Sequence, residues 1–276
     1  TGINPSVGCL IVDFKNNYQG IILSFGVTSK NGRPHAEINA LNKISNSQIN
    51  NQTTLYVSLE PCFKENSCCA KEIFKKGIKR VVVASLDPNV QIYGKGINFL
   101  KSKGIKVLLA GSSQNKFKSI NKYFYNFQSK NRPFITLKIA VSKDYFSKSL
   151  ISKNITCNET QHYMHKTRLK HDAIIVGFNT YKDDSPRLDC RLKGINKKIL
   201  PFVITNNFGR KTKFPQIIFK NKSNFENFYS IMDKYNIQSV LIEGGLQTFK
   251  NFLINGFFNE VIICKSSDMI KNSKKR

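Results

Sequence analysis

Residues 54–77 read TLYVSLEPCFKENSCCAKEIFKKG. The run Thr54 to Leu59 has the composition of a buried strand, and it delivers Glu60-Pro61-Cys62 at its end. Cys69 then opens a segment, CAKEIFKKG, whose apolar residues recur at helical spacing and stop at Gly77. Upstream, His35 begins a second apolar-periodic run, HAEINALNKI over residues 35–44. Ligands at a strand end and at the starts of two helices can converge on one ion. One imidazole and two thiolates suit a tetrahedral zinc and leave a fourth position for water. Glu37, two residues past His35, is not a ligand but is close enough to move that water's protons.

Local patterns leave alternatives. A lone His-Ala-Glu carries little information, and Cys68-Cys69 could be ordinary buried thiols. A structural zinc is usually closed by four protein ligands, and Cys68 could be the fourth or could replace Cys69. The ordered strand–ligand–helix context favours an open, catalytic site over either.

Composition bounds the rest. The chain has 276 residues, enough for one large or two ordinary domains, with 40% hydrophobic residues and 21 Phe to build cores. No apolar run approaches a membrane span and no signal-peptide pattern opens the sequence, so neither a membrane partner nor export is expected. Seven cysteines, an odd number, argue for a reducing compartment and a cytoplasmic protein, not a disulfide framework. The formal net charge is +27, but lysine is spread along the whole chain beside abundant Asn and Ile, as a compositional bias produces. There is no RNP motif, zinc finger or Arg-rich arm, so the charge is read as bias and no nucleic-acid partner is expected. A phosphate-bearing substrate benefits from it either way.

Residues 7–14 and 20–27 read as a hairpin ahead of the His35 helix. The Leu55 strand, the Cys69 helix, a strand over 80–85, a short helix over 95–103 and a strand over 106–110 follow. This order suits a three-layer α/β domain. Residues 113–132 form an amphipathic connector ending at Pro133. Beyond it, ITLKIAVS, DAIIVGF, PFVITN, QIIF, SVLIEGG and EVIIC alternate with helical stretches, which predicts a mostly parallel sheet covered on both faces. The domains are placed at 1–130 and 131–276.

With both halves in view the chain resembles the bifunctional riboflavin-biosynthesis proteins, in which a pyrimidine deaminase is fused to a pyrimidine reductase. In the first half the resemblance is carried by Asn4-Pro5-Ser6-Val7-Gly8, His35-Ala36-Glu37, Leu59-Glu60-Pro61-Cys62, Cys69-Ala70, Asp87-Pro88-Asn89 and Gly94-Lys95-Gly96. In the second half it is carried by Leu137-Lys138, Ser142-Lys143-Asp144, Ile155-Thr156, Arg168, Gly177 with Thr180, the run Asp184 to Leu188, Arg191 and Glu243-Gly244-Gly245. It implies a cytidine-deaminase-like three-layer α/β domain followed by a dihydrofolate-reductase-like α/β domain. It also implies zinc and NADPH as cofactors and a small phosphorylated pyrimidine as substrate, and it leaves room for a homo-oligomer. Counting back from Gly77, the second thiolate falls on Cys69.

The implied activity is hydrolytic deamination of a diaminopyrimidinone ribosylamine 5'-phosphate, then reduction of the ribosyl group to ribityl. By the same resemblance His35, Cys62 and Cys69 are the metal ligands and Glu37 is the catalytic acid–base. Asn4, Asp87, Asn89, Lys138, Arg168, Asp184, Leu188, Arg191 and Glu243 contact substrate. Ser142, Thr156, Gly177, Thr180, Thr205, Gly244 and Gly245 contact NADPH, with the Gly-Gly turn opening a helix toward a cofactor phosphate. The segment between the thiolates is short, with Lys64 its one cation, and Asn154 stands where the family carries Trp. The sequence also stops soon after Cys264, which reads as a reductase domain lacking its last strand. Two other functions share part of the pattern: a zinc deaminase acting on a base in nucleic acid, and a non-catalytic, zinc-stabilised basic binding protein.

Overall fold

A computed structural model describes residues 4–63, 68–147, 155–195, 197–207, 209–219 and 224–269. Lys64 and Asn154 lie outside them. The chain divides into two compact units, Thr1–Asn131 and Arg132–Arg276.

The first unit is built on the sheet order β2-β1-β3-β4-β5, formed by β1 (Gly8–Asp13), β2 (Ile21–Val27), β3 (Thr53–Val57), β4 (Arg80–Val83) and β5 (Lys106–Leu109). β1 pairs antiparallel with both β2 and β3, while β3, β4 and β5 run parallel. Side-chain alternation sends Cys9, Ile11, Leu55, Val57, Val81 and Val83 to one face. There they meet α1 (Ala36–Leu41), α2 (Cys69–Lys75) and α3 (Lys95–Ser102) through Ala40, Ile73 and Leu100, all fully buried. On the other face Phe25, Leu10, Tyr56, Val82 and Leu108 stand in register across all five strands, and Phe25, Leu10 and Leu108 are exposed.

The connector predicted over 113–132 is two helices, α4 (Gln114–Ile120) and α5 (Lys122–Lys130). They part at Asn121, whose φ of −108° and ψ of 32° are not helical. Its amide is drawn to the chain start instead, accepting from the Ser6 N–H at 2.7 Å and donating to the Ser6 carbonyl at 3.2 Å.

The second unit holds a parallel sheet in the order β11-β6-β10-β7-β8-β9, from β6 (Phe134–Val141), β7 (Ala173–Gly177), β8 (Leu200–Thr205), β9 (Gln216–Ile218), β10 (Ser239–Glu243) and β11 (Glu260–Lys265). Every residue of β7 and of β10 is buried, as expected for central parallel strands covered on both faces. One face packs Leu137, Ile175 and Ile242 on Phe228 of α8 (Asn224–Lys234) and on Phe249 and Phe252 of α9 (Leu246–Ile254). The other face packs Leu241 on Met164 of α6 (Asn158–Leu169), and Val176 beside Tyr181 of α7 (Phe178–Asp184). The carboxyl ends of β6, β7 and β10 and the start of α9 frame a cavity, the usual place for a ligand in a parallel sheet.

Candidate active sites

In the first unit, three ligand atoms converge because three chain turns end together. His35 has extended backbone and caps α1, Cys62 follows the end of β3, and Cys69 is the first residue of α2. α1 lies so close to β2 that a Cβ on Gly26 would stand 2.1 Å from the Ala36 carbonyl oxygen and 2.6 Å from the Ala40 nitrogen. Only glycine fits there.

The His35 Nδ1 is 3.3 Å from Cys69 Sγ and 3.5 Å from Cys62 Sγ, and the three ligand atoms lie within 4.8 Å of one another. A tetrahedral zinc with ordinary Zn–S and Zn–N bonds separates an N and an S ligand by about 3.6 Å. The donor set therefore fits zinc in spacing as well as in chemistry. Cys68 is not part of that cluster; its sulfur accepts the Lys71 N–H at 3.3 Å and caps α2. The Cys69 hydrogen bond chiefly, helped by His35 and opposed by burial, pulls Cys62 down to about 4, while Cys69 is pushed up by that same bond and by burial. Glu37 is 3% exposed, and burial pushes its carboxyl up to about 7. A carboxyl poised near neutrality beside a metal-ligand cluster is the chemistry of a proton shuttle. A cavity of about 520 Å³ reaches His35, Cys62 and Cys69, with Arg33 and Lys76 in its wall.

Asn4, Asp87 and Asn89 do not line that cavity. Asn4 donates to the Asn31 carbonyl at 3.5 Å. Asp87 accepts the Asn89 N–H at 2.9 Å, the side-chain turn that Asp-Pro-Asn favours, and burial pushes its carboxyl up to about 6. Asn89 is half-buried and accepts the Gln91 N–H at 2.9 Å. What holds this loop is Glu60, which the sequence reading left without a role. Its carboxylate is 3% exposed and accepts from the backbone N–H groups of Asp87, Gly94, Gly96 and Ile97 at 3.0–3.4 Å. Glu60 thereby ties the loop to the strand end that carries Cys62. A carboxylate closing an otherwise apolar strand was the available signal.

In the second unit, a cavity of about 480 Å³ gathers Lys138, Thr156, Arg168, Thr180, Asp184, Leu188, Arg191, Glu243, Gly244 and Gly245, residues drawn from most of the unit's length. Gly244 and Gly245 both have φ of 75°, a conformation open to glycine, and Gly245 caps α9. Leu188 is buried with φ of 52°, so its backbone is held in a strained conformation at the cavity wall. Arg168 and Glu243 face each other in a two-pronged ion pair, Nε to Oε1 at 2.7 Å and Nη2 to Oε2 at 2.5 Å. Nη1 donates to the Asp189 carbonyl at 2.9 Å. Burial alone would raise the Glu243 pKa, but the Arg168 hydrogen bonds and charge outweigh it and hold the carboxyl below its usual range. Each was expected to serve substrate separately, and the structure binds them to one another.

Ser142, Gly177 and Thr205 do not line this cavity. Ser142 is fully buried, donating to Asp144 at 2.5 Å and accepting the Phe146 N–H at 2.9 Å. Thr205 closes on its own turn, donating to the Asn207 carbonyl at 3.1 Å, and Gly177 caps α7. His165, which the sequence reading passed over, does line the cavity, and its Nδ1 lies 3.3 Å from the Arg191 backbone nitrogen.

Comparison with known proteins agrees with this division. Residues 1–85 match the cytidine and deoxycytidylate deaminase zinc-binding region, and residues 133–269 match the RibD C-terminal domain. The chain is 32% identical to the riboflavin biosynthesis protein RibD of Aquifex aeolicus over 94% of its own length and 80% of that protein's. Acinetobacter baumannii RibD superposes with a TM-score of 0.86 at 26% identity, covering 99% of this chain and 83% of that one. A deaminase/reductase structure from Thermotoga maritima superposes with a TM-score of 0.81 at 26% identity, covering 98% and 82%. A zinc-ligand cluster in a cytidine-deaminase-like fold, followed by a parallel-sheet reductase domain, thus carries its chemistry in a known order: the chain belongs to the RibD family of riboflavin biosynthesis proteins, zinc-dependent deaminases joined to NADPH-dependent reductases.

Proposed function

We propose that His35, Cys62 and Cys69 hold the zinc, and that the first unit deaminates a diaminohydroxyphosphoribosylaminopyrimidine, the substrate named for the Thermotoga maritima protein. The convergence of those three ligand atoms beside the buried Glu37 carboxyl carries this reading. Zinc supplies Lewis acidity that makes water a nucleophile near neutral pH. Glu37 takes a proton from the attacking water and gives it to the ring nitrogen. It then takes the proton of the newly added hydroxyl and gives it to the amine as the C–N bond breaks, so ammonia departs and a carbonyl remains. Glu60 keeps the Asp87–Asn89 loop in place beside Cys62.

The second unit reduces the product's ribosyl group to ribityl. NADPH supplies the hydride. Of the cavity's cations Arg168 is paired with Glu243, and Arg191 lies 3.5 Å from Asp189 with its side chain 54% exposed, so Lys138 and the exposed Arg191 are the ones to meet the substrate phosphate and sugar oxygens. Asp184 binds a ribose hydroxyl or moves the proton that accompanies ring opening. Gly244, Gly245 and Thr180 form the wall nearest the start of α9, where backbone N–H groups suit a cofactor phosphate. The seven cysteines are all free, which fits a cytoplasmic setting. Zinc content with ammonia release tests the deaminase reading. Bound zinc without turnover of the pyrimidine would replace it with a zinc-stabilised binding role.

A further inference from the structure

We propose that His165 is a substrate-contacting residue of the reductase site: its Nε2–H donates a hydrogen bond to an oxygen of the phosphorylated sugar, while its Nδ1 holds the loop that carries Arg191. This rests on the reductase reading of the second unit.

The tautomer follows from the partner. A backbone N–H can only donate, so the Arg191 N–H at 3.3 Å requires a lone pair on His165 Nδ1. Burial first, then the charges of Arg168 and Arg191, lower the ring's pKa against the opposing pull of Glu243 and Asp189, which favours the neutral form. Its single ring proton then sits on Nε2. That nitrogen has no hydrogen-bond partner among the described residues, and the ring lines the cavity. His165 is half-buried, so in the cavity a ligand oxygen can take the place of water as the acceptor of this donor.

The surroundings say which ligand. His165 and Arg168 are three residues apart on α6 and share a face. Three contacts fasten residues 189–191 to that face: Arg168 Nη1 to the Asp189 carbonyl at 2.9 Å, Cys190 Sγ to the His165 carbonyl at 3.5 Å, and the Arg191 N–H to His165 Nδ1. Arg168 is neutralised by Glu243, and Arg191 is paired with Asp189 at 3.5 Å while its side chain stays 54% exposed, so this wall offers a neutral donor beside a partly screened cation. A neutral donor next to a cation suits the hydroxyl and phosphate oxygens of a sugar phosphate.

Two near-isosteric substitutions separate the two nitrogens. In His165→Asn the amide oxygen replaces Nδ1 and keeps the loop contact, but no donor reaches the Nε2 position. His165→Gln places an amide N–H at the Nε2 position and gives up Nδ1. We expect His165→Asn to raise the reductase KM for the phosphoribosylamino-uracil about tenfold, as loss of one hydrogen bond to substrate does, with KM for NADPH unchanged. His165→Gln should stay within about threefold of wild type. Wild-type KM in His165→Asn, or equal damage in both variants, overturns the proposal. The chain has four histidines, so ¹⁵N-histidine NMR gives a second readout. A bare Nδ1 with an Nε2–H that shifts on adding ribose 5-phosphate supports it. A protonated Nδ1, or no shift at millimolar ribose 5-phosphate, overturns it. Absence of any NADPH oxidation by wild type would sink the reductase reading instead, and the ribose 5-phosphate titration would still decide the role of His165.

Discussion

Replacing Glu243 by Gln should destabilise the second unit more than any surface change. The side chains of Arg168 and Glu243 are only 15% and 9% exposed, and two short hydrogen bonds join them. Removing the carboxylate leaves a guanidinium buried without its counter-charge, which costs about 3–5 kcal/mol. For a unit of this size that is a fall of about 10–16 °C in melting temperature. Calorimetry of the full chain is the assay. The double variant Arg168→Met/Glu243→Leu should lose much less than the two single changes together, with a coupling of at least about 2 kcal/mol. Additive losses would mean the pair does not act as a unit.

The same pair fixes a pH dependence. Glu243 has a folded pKa below its unfolded value of about 4.3, so its contribution to stability is complete above that value and is lost as pH falls through the depressed folded one. Wild type should therefore converge on the double variant under acid conditions. A difference that persists unchanged to low pH contradicts the ionic account.

Other outcomes follow from the zinc-ligand cluster. Glu37→Gln should keep zinc and lose deamination by about 10²–10⁴-fold, the usual worth of a positioned proton carrier, and an unchanged rate would remove Glu37 from the mechanism. Cys69→Ala should lose zinc in metal analysis, whereas Cys68→Ala should keep it and cost about 1 kcal/mol of helix capping. The reverse pattern would exchange the two roles. Gly26→Ala should lower zinc affinity although it lies outside the site, because its Cβ collides with the α1 backbone. Full zinc retention there would show that α1 can shift without moving His35.

How much of this was legible in the sequence depended on range. The hairpin and the central strands show in apolar alternation and in Ile/Val runs, which are local. The triad was legible because His-x-Glu and a strand-end cysteine are local as well, whereas the clustering of Cys69 rather than Cys68 with them, and the capping bond of Cys68, are not shown by spacing. Glu60 takes its partners from 27 to 37 residues away. Arg168 and Glu243 are 75 residues apart, so each looked like a free substrate ligand. Ser142 and Thr205 carried the family pattern, yet their hydroxyls are satisfied within their own turns. His165 has no flanking pattern at all, and only the fold of residues 189–191 onto α6 exposes its role.

The most direct test is to give zinc-loaded protein the diaminopyrimidinone ribosylamine 5'-phosphate, with and without NADPH, and to follow ammonia release and NADPH oxidation together. Ammonia in both cases, with NADPH consumed only after deamination, is the expected result. Neither signal from protein that holds zinc would contradict the assignment of both sites.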